Sequence, residues 1–165
     1  MQVHIRPVQA GDEKALAYVQ TESWKSAFAG ILDDVTLREK TQLDRAEKSY
    51  ARLLEQNIGH GYILFLDGEA HCIAWWDAAR DKDFAGMAEI ICIHSLPANR
   101  GKGYGGMMMD RLLGDIAQAG YESVMLWVFT QNVNARAFYE AKGFHAGSVI
   151  KPILGAQEIC YIKRL

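Results

Sequence analysis

The feature that most constrains the fold is a glycine-rich turn between an apolar strand and an apolar helix. "RGKGYGG", which starts at Arg100, has four glycines, and the preceding "AEIICIHSL" is typical of a strand buried on both faces. Apolar residues then recur at helical spacing from Met108 until Gly120, and "ESVMLWVF" is another apolar strand. The stretch predicts a βαβ unit, whose parallel strands offer ligands a site at their carboxyl ends.

The rest of the chain predicts an α+β fold, an α/β sandwich on a mixed sheet. "VHIRPV" alternates like an edge strand, and Asp12 is placed to begin a helix. A second helix is predicted from about Thr36 to Gln56, with a core-facing stripe at helical spacing. The residues of that stripe are Leu43, Ala46, Tyr50, Leu53 and Leu54.

The remaining elements complete a single domain that spans residues 1–165. An Asp67–Gly68 turn joins two strand-like runs and predicts a hairpin. "NVNARAFYEAKGF" predicts a last helix that Gly143 ends, and two closing runs predict an antiparallel pair. The predicted order is β-α-α-β-β-β-α-β-α-β-β.

Charge and cysteine content restrict the partners. The formal net charge of -2 offers no broad basic surface, so neither nucleic acid nor membrane is expected as a partner, and a small-molecule or peptide ligand is favoured. Cys72, Cys92 and Cys160 are widely spaced, which argues against a disulfide framework and a clustered zinc site. The opening residues do not resemble a signal peptide, so a cytoplasmic location is expected.

The glycine-rich turn itself predicts a phosphate site. Amide groups at a helix start point at an anion, and the helix dipole adds about half a positive charge there. A merely tight loop is the alternative. Gly101, Gly103 and Gly106 satisfy the dinucleotide pattern G-x-G-x-x-G, but the next strand ends without the acidic residue that would hold a ribose. The Walker pattern also fails, because no Gly-Lys-Ser/Thr closes the loop.

Three segments together resemble the GCN5-related N-acetyltransferase (GNAT) family. The turn matches the family's Arg-x-x-Gly-x-Gly, "AEIICIHSLP" resembles its fourth strand, and "NVNARAFYEAKGF" resembles its Asn-x-x-Ala-x-x-Phe-Tyr-x-x-x-Gly-Phe segment. These motifs cover about Ala88 to Phe144. The resemblance implies a GNAT-like fold, with a mostly antiparallel sheet, one parallel βαβ unit and about four flanking helices.

The resemblance also implies the reaction. Acetyl-CoA would be the cosubstrate, with no metal, and the acetyl group would pass directly to a primary amine of a small molecule or peptide in a ternary complex. A homodimer is a family expectation. A non-catalytic acyl-CoA sensor or interaction module stays open as the alternative, and a nucleotide-binding regulatory domain is weaker because the ribose acid is missing.

The residues implied to bind the coenzyme come from three segments. Ile93 and Ser95 would offer backbone contacts, although Ser95-Leu96-Pro97 replaces the family's usual Val-x-Pro. Asn132 would reach the coenzyme arm or cap its helix, or both. Phe138 is also assigned to coenzyme binding. The pyrophosphate would bind Arg100, Gly101, Lys102, Gly103, Tyr104, Gly105 and Gly106.

Two residues are candidates for the chemistry. The resemblance gives Tyr139 the role of general acid toward the departing sulfur, whereas helical spacing alone would make it a core aromatic. Glu89 matches the general base of the family's histone-modifying members. A partly desolvated carboxyl group has a raised pKa and can act as a general base. A strand-edge salt bridge is the alternative for Glu89. Asp77 and His94 are reserves.

The acceptor side is predicted from aromatic residues. Trp24 and Phe28, with nearby acids, would attract a cationic amine, although core packing explains them as well. Trp75 and Trp76 are adjacent on a strand and so face opposite sides, and Trp76 is assigned to the substrate. Cys92 is not expected to carry a covalent acetyl group, because buried strand cysteines are usually inert.

Overall fold

The computed structural model describes all residues, Met1–Leu165, as one seven-stranded sheet with five helices. The strands are β1 (Val3–Pro7), β2 (His60–Leu66), β3 (Glu69–Ala78), β4 (Ala88–Ser95), β5 (Ser123–Phe129), β6 (His145–Ile153) and β7 (Ala156–Arg164). The helices are α1 (Glu13–Ala27), α2 (Asp34–Lys40), α3 (Leu43–Glu55), α4 (Tyr104–Gln118) and α5 (Val133–Ala141). No helix combines the length and the apolar character that a bilayer crossing requires.

The strand order is β1-β2-β3-β4-β5-β7-β6, and only β4 and β5 run parallel. Every other neighbouring pair is antiparallel. The predicted α+β class and the mixed, mostly antiparallel sheet with one βαβ unit are therefore confirmed. The number of α-helices is five rather than about four.

The helices cover the two faces of the sheet. On the α1 face, α1 and α3 pack on Ile63, Ile73 and Trp75. On the α4 face, α4 packs on the alternate residues of the same strands, because successive side chains of a strand point to opposite sides. The fully buried side chains of α4 are Met108, Met109, Leu112 and Ile116. Burying each of them stabilises the fold by about 2 kcal/mol, which fixes the start of α4 at the end of β4.

The predicted long second helix is two helices, so that expectation was wrong. Asp33 caps α2 by accepting a hydrogen bond from the Thr36 amide at 2.8 Å. The helix ends where the Thr41 hydroxyl donates to the Leu37 carbonyl at 2.7 Å, a local bond that competes with helical backbone geometry. Of the predicted stripe, only Tyr50 is buried, and Leu43 is exposed.

The parallel strands β4 and β5 stay together over only three residues. Ala88–Ile90 pairs with residues 124–126, and the two strands separate beyond that point. Ile91 is also an extra residue opposite β3, because Trp75 pairs with Cys92 while Trp76 pairs with Ile90. The bulge and the separation open a gap at the carboxyl ends of the parallel pair. We call this gap the wedge, lined by residues 91–95 of β4 and 127–129 of β5.

Candidate active site

The wedge lies within a cleft of about 1920 Å³ that reaches both faces of the sheet. At one end lie the glycine-rich turn and the start of α4, and at the other lie residues of α1, α3 and the β6–β7 hairpin. Because β5 no longer pairs with β4 beyond Ile90, the backbone groups of Ile93 and Ser95 that point toward β5 have no partner in the sheet. They are available to a ligand in the wedge.

The turn before α4 presents free amide groups. Gly101 and Gly103 have φ of +77° and +89°, which L side chains rarely adopt, and a Cβ at either position would meet no atom within 4 Å. Gly103 begins α4 without a side-chain cap, so the first N–H groups of a 15-residue helix face the open end of the cleft. This arrangement binds anions such as phosphate.

The other residues of the turn divide between charge and packing. Arg100 donates to the Ser26 hydroxyl of α1 at 3.2 Å, and Lys102 donates to the Asn99 side chain at 3.0 Å, so both cations make hydrogen bonds within the protein. A Cβ at Gly105 would lie 3.7 Å from the Phe138 ring. A side chain at Gly105 would therefore make an ordinary van der Waals contact with Phe138, and the packing does not require glycine there. The turn and the coenzyme-side candidates Asn132 and Phe138 all line the same cleft, except that Lys102 lies at its rim.

Tyr139 reaches the wedge from α5 on the α4 face. Its ring packs beside Phe138, Phe144 and Tyr161. Asn132 positions the helix by accepting a hydrogen bond from the Ala135 amide at 3.3 Å, which is the capping role predicted as one alternative.

The Tyr139 hydroxyl is free to act on a ligand. The Tyr161 hydroxyl is bonded by Arg136 and Glu140, whereas the Tyr139 hydroxyl has no partner in the chain. Burial raises the pKa of Tyr139, and the nearby Cys92 and Cys72 raise it further. The phenol therefore holds its proton at neutral pH.

Glu89 lines the cleft but is fully engaged in a salt bridge. It is 2% exposed, and Arg80 binds both carboxylate oxygens, from Nε at 3.1 Å and from Nη2 at 2.7 Å. The Arg80 amide adds a third hydrogen bond at 3.1 Å, and this carboxylate raises the pKa of Arg80. The strand-edge salt bridge that was the alternative for Glu89 is what the structure contains.

The acceptor-side aromatics Trp24 and Phe28 lie together at the α1 end of the cleft. Trp24 donates from Nε1 to His94 Nε2 at 3.2 Å, and its ring meets Phe28 edge-on at 4.9 Å. Phe28 in turn contacts Phe129 of β5 at 4.8 Å. Burial lowers the pKa of His94 to about 4, so its imidazole is neutral and can accept the Trp24 hydrogen bond.

Trp76 does not lie with Trp24 and Phe28. Its ring is buried on the α4 face, where it stacks on His60 and donates to the Tyr62 hydroxyl at 3.2 Å. Trp75 is the member of the pair that borders the cleft. The two tryptophans do face opposite sides of the sheet, and Trp75 is the one on the α1 face. The prediction that Trp76 contacts the substrate was therefore wrong.

Sequence reasoning missed a charged group on the α1 face of the cleft. Lys151 Nζ lies 4.0 Å from the centre of the Trp127 ring and 3.5 Å from Glu158 Oε1. The strand pattern predicted β5 and the closing hairpin but not that β7 lies beside β5. The available signal was Glu158 itself, a carboxylate directly before the apolar run Ile159–Ile162 of a strand.

Cys92 also borders the wedge, and its thiol is unreactive. Burial raises its pKa to about 12. A thiol that stays protonated at neutral pH is a poor nucleophile, so the cleft has no activated cysteine.

Solved structures with the same fold come from several organisms. The PaiA N-acetyltransferase of Thermoplasma acidophilum, solved with coenzyme A, superimposes with a TM-score of 0.78 at 22% identity, and the match covers 100% of both chains. The ribosomal-protein-S18-alanine N-acetyltransferase of Escherichia coli gives 0.72 at 18% identity, covering 99% of this chain and 94% of the other. YncA of Salmonella typhimurium, a putative acetyltransferase solved with acetyl-CoA, gives 0.75 at 17% identity over 98% and 93%.

At these identities the structural matches show a shared fold. A comparison with curated protein sequences finds no match. The family model described as "Acetyltransferase (GNAT) family" matches residues 22–144, which is most of the chain and includes β4, the glycine-rich turn, α4, β5 and α5. The chain therefore belongs to the GNAT acetyltransferase family.

Proposed function

We propose that the protein is an N-acetyltransferase that moves an acetyl group from acetyl-CoA to a primary amine of a small molecule or peptide. One observation supports this most: the wedge joins an open anion site at the start of α4 to a phenol without a hydrogen-bond partner at Tyr139. The first feature suits a pyrophosphate, and the second suits proton donation to a departing thiolate.

The fit of acetyl-CoA to the cleft rests on the backbone. A pyrophosphate would take the free amides of residues 101–106, with Arg100 and Lys102 adding positive charge. Ile93 and Ser95 would pair with the amide-containing arm of the coenzyme as a strand does. The acetyl end would then lie in the wedge between β4 and Tyr139.

In the reaction, the residues of this chain hold the thioester and move protons. A backbone N–H of β4 polarises the carbonyl oxygen of the thioester. Tyr139 donates its proton to the sulfur as the C–S bond breaks. The burial that raises the pKa of this phenol also destabilises a thiolate formed in the same wedge, so the two groups become more basic together and positioning covers the difference that is left. The amine attacks directly, since Cys92 is held as an inert thiol.

The amine would enter from the α1 face, opposite α4 and α5. Trp24 and Phe28 form an aromatic wall there, and an aromatic face attracts a cationic amine. Phe129 extends the wall from β5. A homodimer and a cytoplasmic location stay predictions from the sequence.

Calorimetry and a turnover screen test the proposal. We expect acetyl-CoA to bind and NAD and ATP not to bind, because the site lacks a ribose-binding acid. A library of primary amines, followed by release of CoA thiol, should then identify accepted amines. Binding of acetyl-CoA without turnover of any amine would favour the acyl-CoA sensor, and absence of binding would refute both functions.

A further inference from the structure

The chain places one of its own primary ammonium groups in the acceptor end of the cleft. Lys151 extends from β6, and its Nζ lies over the Trp127 ring at 4.0 Å and beside Glu158 Oε1 at 3.5 Å. An aromatic face and a carboxylate are the two contacts that recognise an alkylammonium ion. The structure thus shows that this corner of the cleft accommodates a primary ammonium.

Glu158 lies at the height of the wedge. It pairs with Phe129 across β5 and β7, and Phe129 follows Leu126 by three residues. Leu126 pairs with Ile90, the last paired position of β4 and β5, so Glu158 lies about three residues beyond that pair, beside the part of β4 that lines the wedge. Glu89 is four residues before Ile93, which is about 13 Å lower along the strand.

Glu158 is also on the side from which the amine would enter. Its neighbours Ile159 and Tyr161 alternate onto the α4 face, where they pack near Tyr139. By strand alternation, the Glu158 side chain points to the α1 face, so proton donor and carboxylate lie on opposite sides of the wedge. An attacking amine and a departing sulfur need this separation.

We propose that Trp127 and Glu158 form the acceptor subsite, in which the substrate's primary ammonium takes the place that Lys151 Nζ occupies. Glu158 then removes the proton that keeps the amine unreactive. This inference rests on the proposed N-acetyltransferase function and names its substrate class: a primary amine on an unbranched alkyl stem, like the lysine side chain that it replaces.

The geometry around Glu158 suits both parts of the task. The Lys151–Glu158 contact is longer than the 2.7 Å ion pairs elsewhere in the chain, so a substrate can displace it. Burial raises the pKa of Glu158, which makes the carboxylate a stronger base. The charged groups that face it are Lys151 from β6, Arg80 from the segment after β3, and Glu89 from β4.

The protons and bonds balance. The ammonium gives one proton to Glu158, and the neutral nitrogen forms a bond to the thioester carbon. The carbon–sulfur bond breaks, and the sulfur takes the Tyr139 proton. Glu158 passes the first nitrogen proton to water and then takes the second nitrogen proton, which it also passes to water, while the Tyr139 phenolate regains one proton from water. The products are the N-alkylacetamide, CoA thiol and one proton.

The test uses n-butylamine, which has the shape of the lysine side chain. In the parent chain the tethered Lys151 side chain competes with n-butylamine for the subsite at millimolar effective concentration. Lys151→Ala removes this competitor, so we expect kcat/KM for n-butylamine to rise about tenfold. Lys48→Ala is the matched control, because it removes the same charge from an exposed position on α3 outside the cleft. It should leave turnover of n-butylamine unchanged.

A second variant tests Glu158. Lys151→Ala/Glu158→Gln should lose about a hundredfold in kcat/KM relative to Lys151→Ala at pH 7, as expected for loss of a general base. The loss should shrink toward pH 10, where the amine arrives neutral, which a merely structural effect would not do. The affinity for acetyl-CoA, measured by calorimetry, should not change. An unchanged affinity would show that the variant is folded.

The outcomes separate this inference from the proposed function. If acetyl-CoA binds but Lys151→Ala does not turn over n-butylamine faster than the parent chain, the inference is wrong and the function stands. The inference is also wrong, and the function again stands, if Glu158→Gln does not lower kcat/KM in the Lys151→Ala background, or if it lowers kcat/KM by the same factor at every pH. If acetyl-CoA does not bind the parent chain, both are refuted.

Discussion

Tyr139 is the residue whose role depends most on a single atom. Replacing it with Phe removes the hydroxyl and keeps the ring packing with Phe138, Phe144 and Tyr161. We expect Tyr139→Phe to lower kcat by about a hundredfold, the usual contribution of a general acid, with little change in acetyl-CoA affinity. Steady-state kinetics with an accepted amine and calorimetry with acetyl-CoA measure the two quantities.

Tyr121→Phe provides the control for this experiment. Tyr121 packs edge-on against Trp76 and does not border the cleft, so removing its hydroxyl should leave kcat unchanged. An unaltered kcat in Tyr139→Phe would remove Tyr139 from the mechanism.

His94 makes stability depend on pH. Its pKa is about 4 in the folded chain, against an ordinary 6.5, so below pH 6.5 the unfolded chain takes up a proton that the folded chain does not. Stability is unaffected above pH 6.5 and falls as the pH drops toward 4. The difference between these two pKa values corresponds to a loss of about 2–3 kcal/mol in the free energy of unfolding at pH 4.

Urea unfolding at pH 7 and pH 4 measures this loss. His94→Gln does not titrate, and its side-chain oxygen can still accept the Trp24 hydrogen bond, so the variant should lose about 2–3 kcal/mol less than the parent chain between the two pH values. Equal losses in the two proteins would show that another group is responsible.

At the residue scale, sequence reasoning located backbone roles better than side-chain partners. The positive φ of Gly101 and Gly103 follows from a turn that only glycine allows, so local sequence predicts it. The Arg80 partner of Glu89 lies after β3, and the Trp75 or Trp76 choice depends on which face α1 covers. Both depend on contacts between distant segments.

The turn before α4 is the element on which the proposed coenzyme binding depends. Gly103→Val should weaken acetyl-CoA binding at least tenfold, because a β-branched residue opposes φ of +89° and its side chain would occupy the open space beside the amides. Calorimetry measures the loss.

Gly86→Val separates backbone strain from loss of the site. Gly86 has φ of +90°, and a Cβ there would also meet no atom within 4 Å, but it lies outside the cleft. The variant should therefore lose similar stability and retain acetyl-CoA affinity. A similar loss of affinity in both variants would mean that strain, and not the amide groups, accounts for the Gly103 result.

Among the elements, the strands and the βαβ unit were predictable because periodicity and turn chemistry are local. The break between α2 and α3 was not, because no glycine or proline interrupts residues 36–56, although the apolar stripe begins only at Leu43 and α2 contributes nothing buried to the core. The bulge at Ile91 was not predictable either, since it appears only when β4 is paired with β3. That bulge helps to open the site.

At the scale of the whole molecule, the sheet would separate the two proposed substrates. The cleft is lined by α4 and α5 on the side proposed for the coenzyme, and by α1 and the β6–β7 hairpin on the side proposed for the amine. The two groups therefore meet only inside the wedge, through the gap that β4 and β5 leave beyond Ile90. The one thiol there is not suited to hold the acetyl group between them, because burial raises the pKa of Cys92 to about 12.

This arrangement predicts the kinetic order of the reaction. If both substrates must be present before the acetyl group moves, initial-rate plots at several fixed amine concentrations should intersect, as they do for a ternary complex. Isotopically labelled CoA should not exchange into acetyl-CoA when the amine is left out. Parallel lines together with such exchange would require a covalent acetyl-enzyme. Cys92→Ala would then decide the matter, because exchange that survived in that variant would place the acetyl group on a residue other than the only thiol that borders the cleft.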